Sequence, residues 1–271
     1  GWISYSLAKV YNPDFKYWQG VECAFYAAFY RVATLGSGAG VAAIYYFNER
    51  GVPYSKGTGL YTIEYMLHKV SIALFAGIFF ILNWGYMQKY YSQYDMTLLI
   101  GFGVTFVIAA VLLLFACSKK FHEVLLWIVR KLNRSGKLTE QVKKLEEQCA
   151  ILEDAAATLL KRGGLIAGCI LKNLLKFTFW YGIPFLILAE TGKLTLSQGL
   201  AVTSLAMMLA AVIPAPAGIG SSEFVLTMLL AKIVGTGAAG SVALLYRFAT
   251  FVLPFVIGAV VVVLWRRVHR S

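Results

Sequence analysis

Charge is what this chain has least of. Only 14% of its 271 residues are Asp, Glu, Lys or Arg, where a soluble domain carries about 25%. With 59% hydrophobic residues and a mean hydropathy of +0.69, that deficit excludes a soluble globular domain and puts most of the chain in lipid. Acidic residues are the scarcer sign, 13 against 25 basic, for a formal net charge of +12. The bases stand between apolar runs, which makes them head-group contacts and topology signals. No basic surface domain is present to bind nucleic acid, so no nucleic-acid partner is expected. Ligand spacing is also missing. The four cysteines, Cys23, Cys117, Cys149 and Cys169, form no CxxC pair and read as small buried residues. His68, His122 and His269 are far apart, and the chain holds no HExxH, GxSxG or Walker pattern. No catalytic residue, cofactor or metal is expected of this chain. It opens on Gly1-Trp2 without a signal-peptide pattern, as an excerpt of a longer protein would.

What is present is a series of apolar runs long enough to cross a bilayer, which takes about 20 residues. They are 21–47, 60–82, 96–118, 164–188 and 195–264. The first is interrupted by Gly36-Ser37-Gly38-Ala39-Gly40. The last is interrupted by the stretch from Pro214 to Gly220 and again by Gly235 to Gly240. Lys and Arg crowd the 119–163 stretch and the C-terminus, so both are expected on the cytoplasmic side. Threading alternate spans from there leaves 195–235 entering and leaving on the outer side and 21–47 on the inner side. Each is then a hairpin with its glycine-rich break at the tip. The expected fold is an all-α polytopic membrane protein, with inverted-topology repeats and two re-entrant Gly/Pro-broken hairpins. It forms one membrane domain over 1–271. The first repeat covers about 21–118, cytoplasmic helices cover 119–163, and the second repeat covers about 164–265. Broken backbone survives at membrane depth only where protein or water covers it. Its half-helix N-termini favour an anion.

The polar stretch has two parts. In the first, Phe121, Val124, Leu125, Ile128, Val129 and Leu132 share one face of an interfacial amphipathic helix. In the second, Leu138, Val142, Leu145, Cys149, Leu152, Ala156 and Leu159 alternate at spacings of four and three, a heptad stripe. That stripe packs either on its own protein or on a partner, and a homo-oligomer stays open.

Ionisable residues inside spans cost about 2.5–3.5 kcal/mol each at a helix centre. They include Arg31, Glu64, His68, Lys69, Lys172, Lys176, Glu223, Lys232 and Arg247. Lys69 and Lys232 can snorkel to an interface. Glu223 follows Gly220-Ser221-Ser222 at a half-helix start, where Ser221 or Ser222 can cap. It can pair with Arg247, or Arg247 can meet a lipid phosphate with its planar fork. Lys172 and Lys176 are four apart and share a face, and they repel unless an anion lies between them. Glu64 and His68 are also four apart and can hydrogen-bond.

The run Ile213-Pro-Ala-Pro-Ala-Gly-Ile-Gly-Ser-Ser-Glu223, then Leu244-Leu-Tyr-Arg-Phe248 and Pro254, resembles a known family. It is similar to the transmembrane flippase domain of lysylphosphatidylglycerol synthase, the multiple peptide resistance factor, and its stand-alone relatives. That family's form is a Pro-x-Pro-Gly-Gly-x-Gly-x-x-Glu loop followed by a Leu-x-Tyr-Arg helix; Ala217 replaces the first glycine. Thr34 to Gly40, followed by Arg50-Gly-Val-Pro53, resembles the first-repeat loop, which commonly has a proline at Leu35 or Gly36. The resemblance covers roughly 20–265. It implies translocation of an anionic or aminoacylated phospholipid between leaflets of a bacterial-type cytoplasmic membrane. In that family the outcome is resistance to cationic antimicrobial peptides. Larger members carry a cytosolic aminoacyl-transferase domain, which this chain does not show. The expected head-group-binding residues are Lys172, Lys176, Arg247, Glu223, Ser221, Ser222, Gly218, Gly220, Ser37, Gly38, Gly40, Arg31 and Glu64. A secondary transporter of a small solute and a non-transporting membrane scaffold are the alternatives.

Overall fold

The computed structural model describes residues 1–92, 100, 101, 103, 104, 106–108, 110, 111, 114, 118–132, 139–213 and 215–269. Most of the span expected at 96–118, with Cys117, Leu138 and Pro214, lies outside the described residues. The described chain is helical throughout. Its helices are α1 (Trp2–Ala8), α2 (Tyr17–Ala33), α3 (Gly38–Glu49), α4 (Tyr54–Leu82), α5 (Trp84–Tyr91), α6 (Lys119–Leu132), α7 (Thr139–Ala155), α8 (Gly163–Leu188), α9 (Leu196–Ala210), α10 (Ser221–Val234), α11 (Thr236–Arg247) and α12 (Leu253–His269).

Helix length separates two kinds of element. At about 1.5 Å per residue, the 29 residues of α4 and the 26 of α8 exceed the roughly 30 Å hydrocarbon core. A single π-turn, Phe248–Val252, joins α11 to α12 in one long run. Pro254 stands just beyond it and lacks the N–H that would serve the carbonyl of Thr250, so the helix register gives way there. By contrast α3, α9 and α10 have 12, 15 and 14 residues, too few to span alone. Among the described residues, Tyr54–Leu82, Pro216–Val234 and Thr236–Arg267 have the length and hydropathy of membrane spans. The second includes a kink, because Ala217 is left-handed with φ 54°. Large apolar side chains such as Val41, Ile81, Leu171, Phe179 and Leu244 are exposed around the bundle, as lipid contact requires. The chain is a multi-pass helical membrane protein.

Two cores divide the bundle. One joins α1–α3 to the first half of α4, the end of α7 and the end of α12, around Tyr46, Phe47, Leu60 and Ile63. The other joins α5, the second half of α8, α9, α10 and α11 to the far half of α4, around Phe177, Leu205, Met208 and Leu226. Helices α2 and α3 pack on each other, and α9 on α10; α4 touches both pairs.

Several boundaries differ from expectation. The first helix pair runs from Tyr17 to Glu49, longer than 21–47, and its break is Thr34–Ser37. Gly38 and Gly40 already belong to α3. Gly40 packs there against Tyr61, where a Cβ would come 2.8 Å from the ring. Of the 235–240 break only Gly235, at φ 84°, is non-helical; Thr236 to Gly240 open α11.

The heptad stripe packs on its own protein. Val142, Cys149, Leu152 and Leu159 are buried, and a Cβ at Gly59 of α4 would lie 2.4 Å from that of Ala155. Lys56 of α4 bonds Asp154 of α7. Helix α6 rests on α7 through His122 Nδ1, 2.9 Å from Glu153, and through Arg130 Nε donating to Glu146 at 3.0 Å. Val124, Trp127 and Ile128 of α6 stay exposed. The same end of the bundle gathers Arg50, whose guanidinium lies 4.5 Å over Trp265 and 3.3 Å from Glu22.

Candidate functional site

The second break is built by local chemistry. Thr195 starts α9 as an N-cap, accepting from the Gln198 amide at 3.3 Å. After Ala210 the chain crosses to α10 with φ of 54° at Ala217, 70° at Gly218 and 85° at Gly220. Glycine takes such angles freely, but a residue with a Cβ pays roughly 1–2 kcal/mol. Ala217 is the residue that departs from the family pattern, and it stands where that pattern has glycine. Glu223 then folds back on its own helix start. Its Oε2 accepts from the Gly220 amide at 3.1 Å and from Ser222 Oγ at 2.7 Å. Ser221 and Ser222 do not cap α10; both hydroxyls lie within donating distance of the Gly218 carbonyl, at 3.3 and 3.1 Å. The half-helix N-terminus, expected to greet an outside anion, is occupied by the chain's own carboxylate.

Arg247, on the last turn of α11 before the π-turn, completes this tip. Its Nε lies 3.2 Å from Glu223 Oε1, and its Nη2 donates to the Ala217 carbonyl at 3.1 Å. The guanidinium carbon sits 3.7 Å from the Phe251 ring centroid. The side chains of Arg247 and Glu223 are 15% and 23% exposed, so the expected pair forms largely out of solvent.

The first break is held only by near neighbours. The Gly36 amide donates to the Arg31 carbonyl at 2.7 Å. Thr34 Oγ1 donates to the Tyr30 carbonyl and accepts from the Gly38 amide, both at 2.6 Å. Ser37 Oγ donates to the Thr34 carbonyl at 2.9 Å. Leu35 and Gly36 have φ of 52° and 107°. Proline, held near −65°, fits neither position. A Cβ on Gly36 would lie 3.3 Å from the Ala217 nitrogen. The two breaks therefore touch.

A polar cluster joins α4, α8 and α1. Ser4 Oγ donates to Glu64 at 2.8 Å. Lys172 Nζ donates to Ser6 Oγ at 2.6 Å and lies 4.9 Å over the Trp2 ring. Lys176 Nζ donates to Asn173 Oδ1 at 2.8 Å and meets His68 Nδ1 at 3.1 Å. Glu64 and His68 thus do not bond each other as their spacing allows; each is drawn to a different helix. Arg31, in the last turn of α2, is exposed. Glu64, His68, Lys172 and Lys176 are partly exposed, and Ser4 and Asn173 are buried. Sequence reasoning missed Asn173, Ser4, Ser6 and Phe251; Asn173, three residues before Lys176, is the one its spacing signalled.

Short helices meeting at broken tips, with a polar cluster between the long helices, define the class: an integral helical membrane protein. Residues 5–258 match the family described as the lysylphosphatidylglycerol synthase TM region, and the chain belongs to that family. That places it among membrane domains concerned with lipid. Neither a curated protein nor a solved structure matches it.

Proposed function

We propose that this domain translocates a phospholipid with an anionic or aminoacylated head group between leaflets, as a flippase, without chemistry on the lipid. The observation that carries the reading is the tip junction, where Arg247 bonds both Glu223 and the Ala217 carbonyl at the contact of the two breaks. An ion pair within a bilayer is costly unless it serves a polar passage. The order helix, break, helix, long helix occurs at α2–α4 and again at α9–α12. In this proposal the two pairs are re-entrant hairpins of opposite orientation, with tips near the midplane. Basic residues around 119–163 and the C-terminus set those ends on the cytoplasmic face. Partial exposure of the cluster residues lets the head group enter sideways while acyl chains stay in lipid.

The test is lipid scrambling or export by the full chain in proteoliposomes, with fluorescent phosphatidylglycerol and its lysyl derivative. Arg247→Lys keeps charge and loses the planar fork. It is expected to fold and to transport at least about tenfold more slowly, the factor that one lost charge-assisted bond represents. Normal transport by Arg247→Lys would reduce the pair to charge neutralisation, and no lipid movement by the native protein would remove the reading.

A further inference from the structure

We propose that Lys176, Asn173 and His68 form a phosphate subsite between α4 and α8, which takes the phosphodiester of a lipid head group; this rests on the lipid-handling reading above. Three observations converge on it.

The first is charge. Arg247 is balanced by Glu223. The cluster sets Lys172 and Lys176 against one carboxylate, Glu64, which bonds Ser4, and no carboxylate lies within 4 Å of either lysine among the described residues. Surplus positive charge at membrane depth is costly until an anion arrives.

The second is an orphan donor. Asn173 is 1% exposed, and its Nδ2 has no hydrogen-bond partner. Its Oδ1, on the same planar amide, accepts from Lys176 Nζ, so the unused N–H lies beside the ammonium. Buried donors are almost always satisfied, and a phosphate oxygen supplies the missing acceptor.

The third is preorganisation. An ammonium only donates, so His68 Nδ1 must be unprotonated where it meets Lys176. His68 is then a neutral acceptor that, with Asn173, aims Lys176 and leaves its third N–H for a ligand. Lys172 donates to Ser6 over the Trp2 ring and has no orphan donor beside it, so it is left out of the subsite. Phosphate could come free or on a lipid. Phe179, one turn beyond Lys176, is exposed, so the rim is apolar and favours the lipid.

Binding to the full chain in detergent would be measured with phosphatidylglycerol, with diacylglycerol of the same acyl chains, and with inorganic phosphate. Asn173→Asp keeps the acceptor for Lys176 and turns the orphan donor into a second acceptor; Lys176→Gln removes the charge. Each is expected to weaken phosphatidylglycerol binding at least about tenfold, and to leave diacylglycerol unchanged. Lys176→Arg, which keeps the charge, should bind within about tenfold of the native chain and guards against misfolding as the cause. Unchanged phosphatidylglycerol binding in Asn173→Asp and Lys176→Gln would overturn the subsite, as would equal losses for diacylglycerol. Inorganic phosphate binding as tightly as the lipid would overturn the lipid as its source. Transport assayed in parallel separates the two readings. Continued transport with unaltered binding in the variants sinks the subsite alone, whereas a native chain that neither binds nor moves lipid sinks the function as well.

Discussion

The two broken tips have similar backbones and different anchors. Each carries a left-handed residue that is not glycine, Leu35 in one and Ala217 in the other, followed by a glycine of positive φ. At the first tip the bonds run between residues no more than five apart, through Thr34, Ser37 and the Gly36 amide. At the second, Arg247 reaches 30 residues back to Ala217 and pairs with Glu223. A tip closed by local bonds keeps its shape wherever its helices go. A tip pinned by a side chain of another helix ties its shape to that helix's position. The second tip therefore depends on α11 for its shape, and the first does not.

Removing the pin should have the largest effect. Arg247→Ala leaves Glu223 without its partner, and breaking a buried pair costs about 3 kcal/mol at the low end. Thermal unfolding in detergent should show a loss of that size together with lost transport, and a loss below about 1 kcal/mol would mean the pin is not one. Next is the contact between the tips. Gly36→Ala combines an unfavourable φ of 107° with a Cβ 3.3 Å from Ala217, so about 2 kcal/mol is expected. Gly235→Ala is the control, since its φ of 84° brings strain with nothing within 4 Å. Equal losses at the two sites would show that the tips do not press on each other. The smallest effect should come from Ala217→Gly. Relief of left-handed strain, roughly 1–2 kcal/mol, is offset by the extra freedom of glycine in the unfolded chain, roughly 0.5–1 kcal/mol. A net gain of about 0.5 kcal/mol would appear as a small rise in Tm, and a fall would show that the Cβ of Ala217 is needed where it meets Gly36.

Much of this architecture is legible in residue order alone. The runs at 60–82 and 164–188 became the long helices α4 and α8, because apolar length over about 20 residues needs no tertiary information. Pro216, Gly218 and Gly220 marked the second break, since their allowed φ values are intrinsic. The Glu223–Arg247 pair was within reach because a glycine-led turn at 235 brings α10 and α11 side by side. Less was legible where partners come from distant helices. Glu64 and His68 had matching spacing on one helix, yet Ser4 and Lys176 claimed them from α1 and α8. Local spacing measures which side chains share a face, and competition from another helix decides which bond forms. Ser221 and Ser222 were plausible caps until Glu223, with its longer reach, took the Gly220 amide.

The sequence by itself determined that this protein lives in a bilayer, the neighbourhood of its helix breaks, and which charged residues fall inside apolar runs. Hydropathy, helical period and the φ preferences of glycine and proline act within a few residues, so they survive in a linear reading. The tertiary structure alone decided that Gly36 meets Ala217, that Lys172 bonds Ser6 while Lys176 bonds Asn173 and His68, and that Asn173 keeps an unused N–H beside an ammonium. Those facts depend on distances of a few Å between residues as far apart in the chain as Gly36 and Ala217, and packing sets such distances.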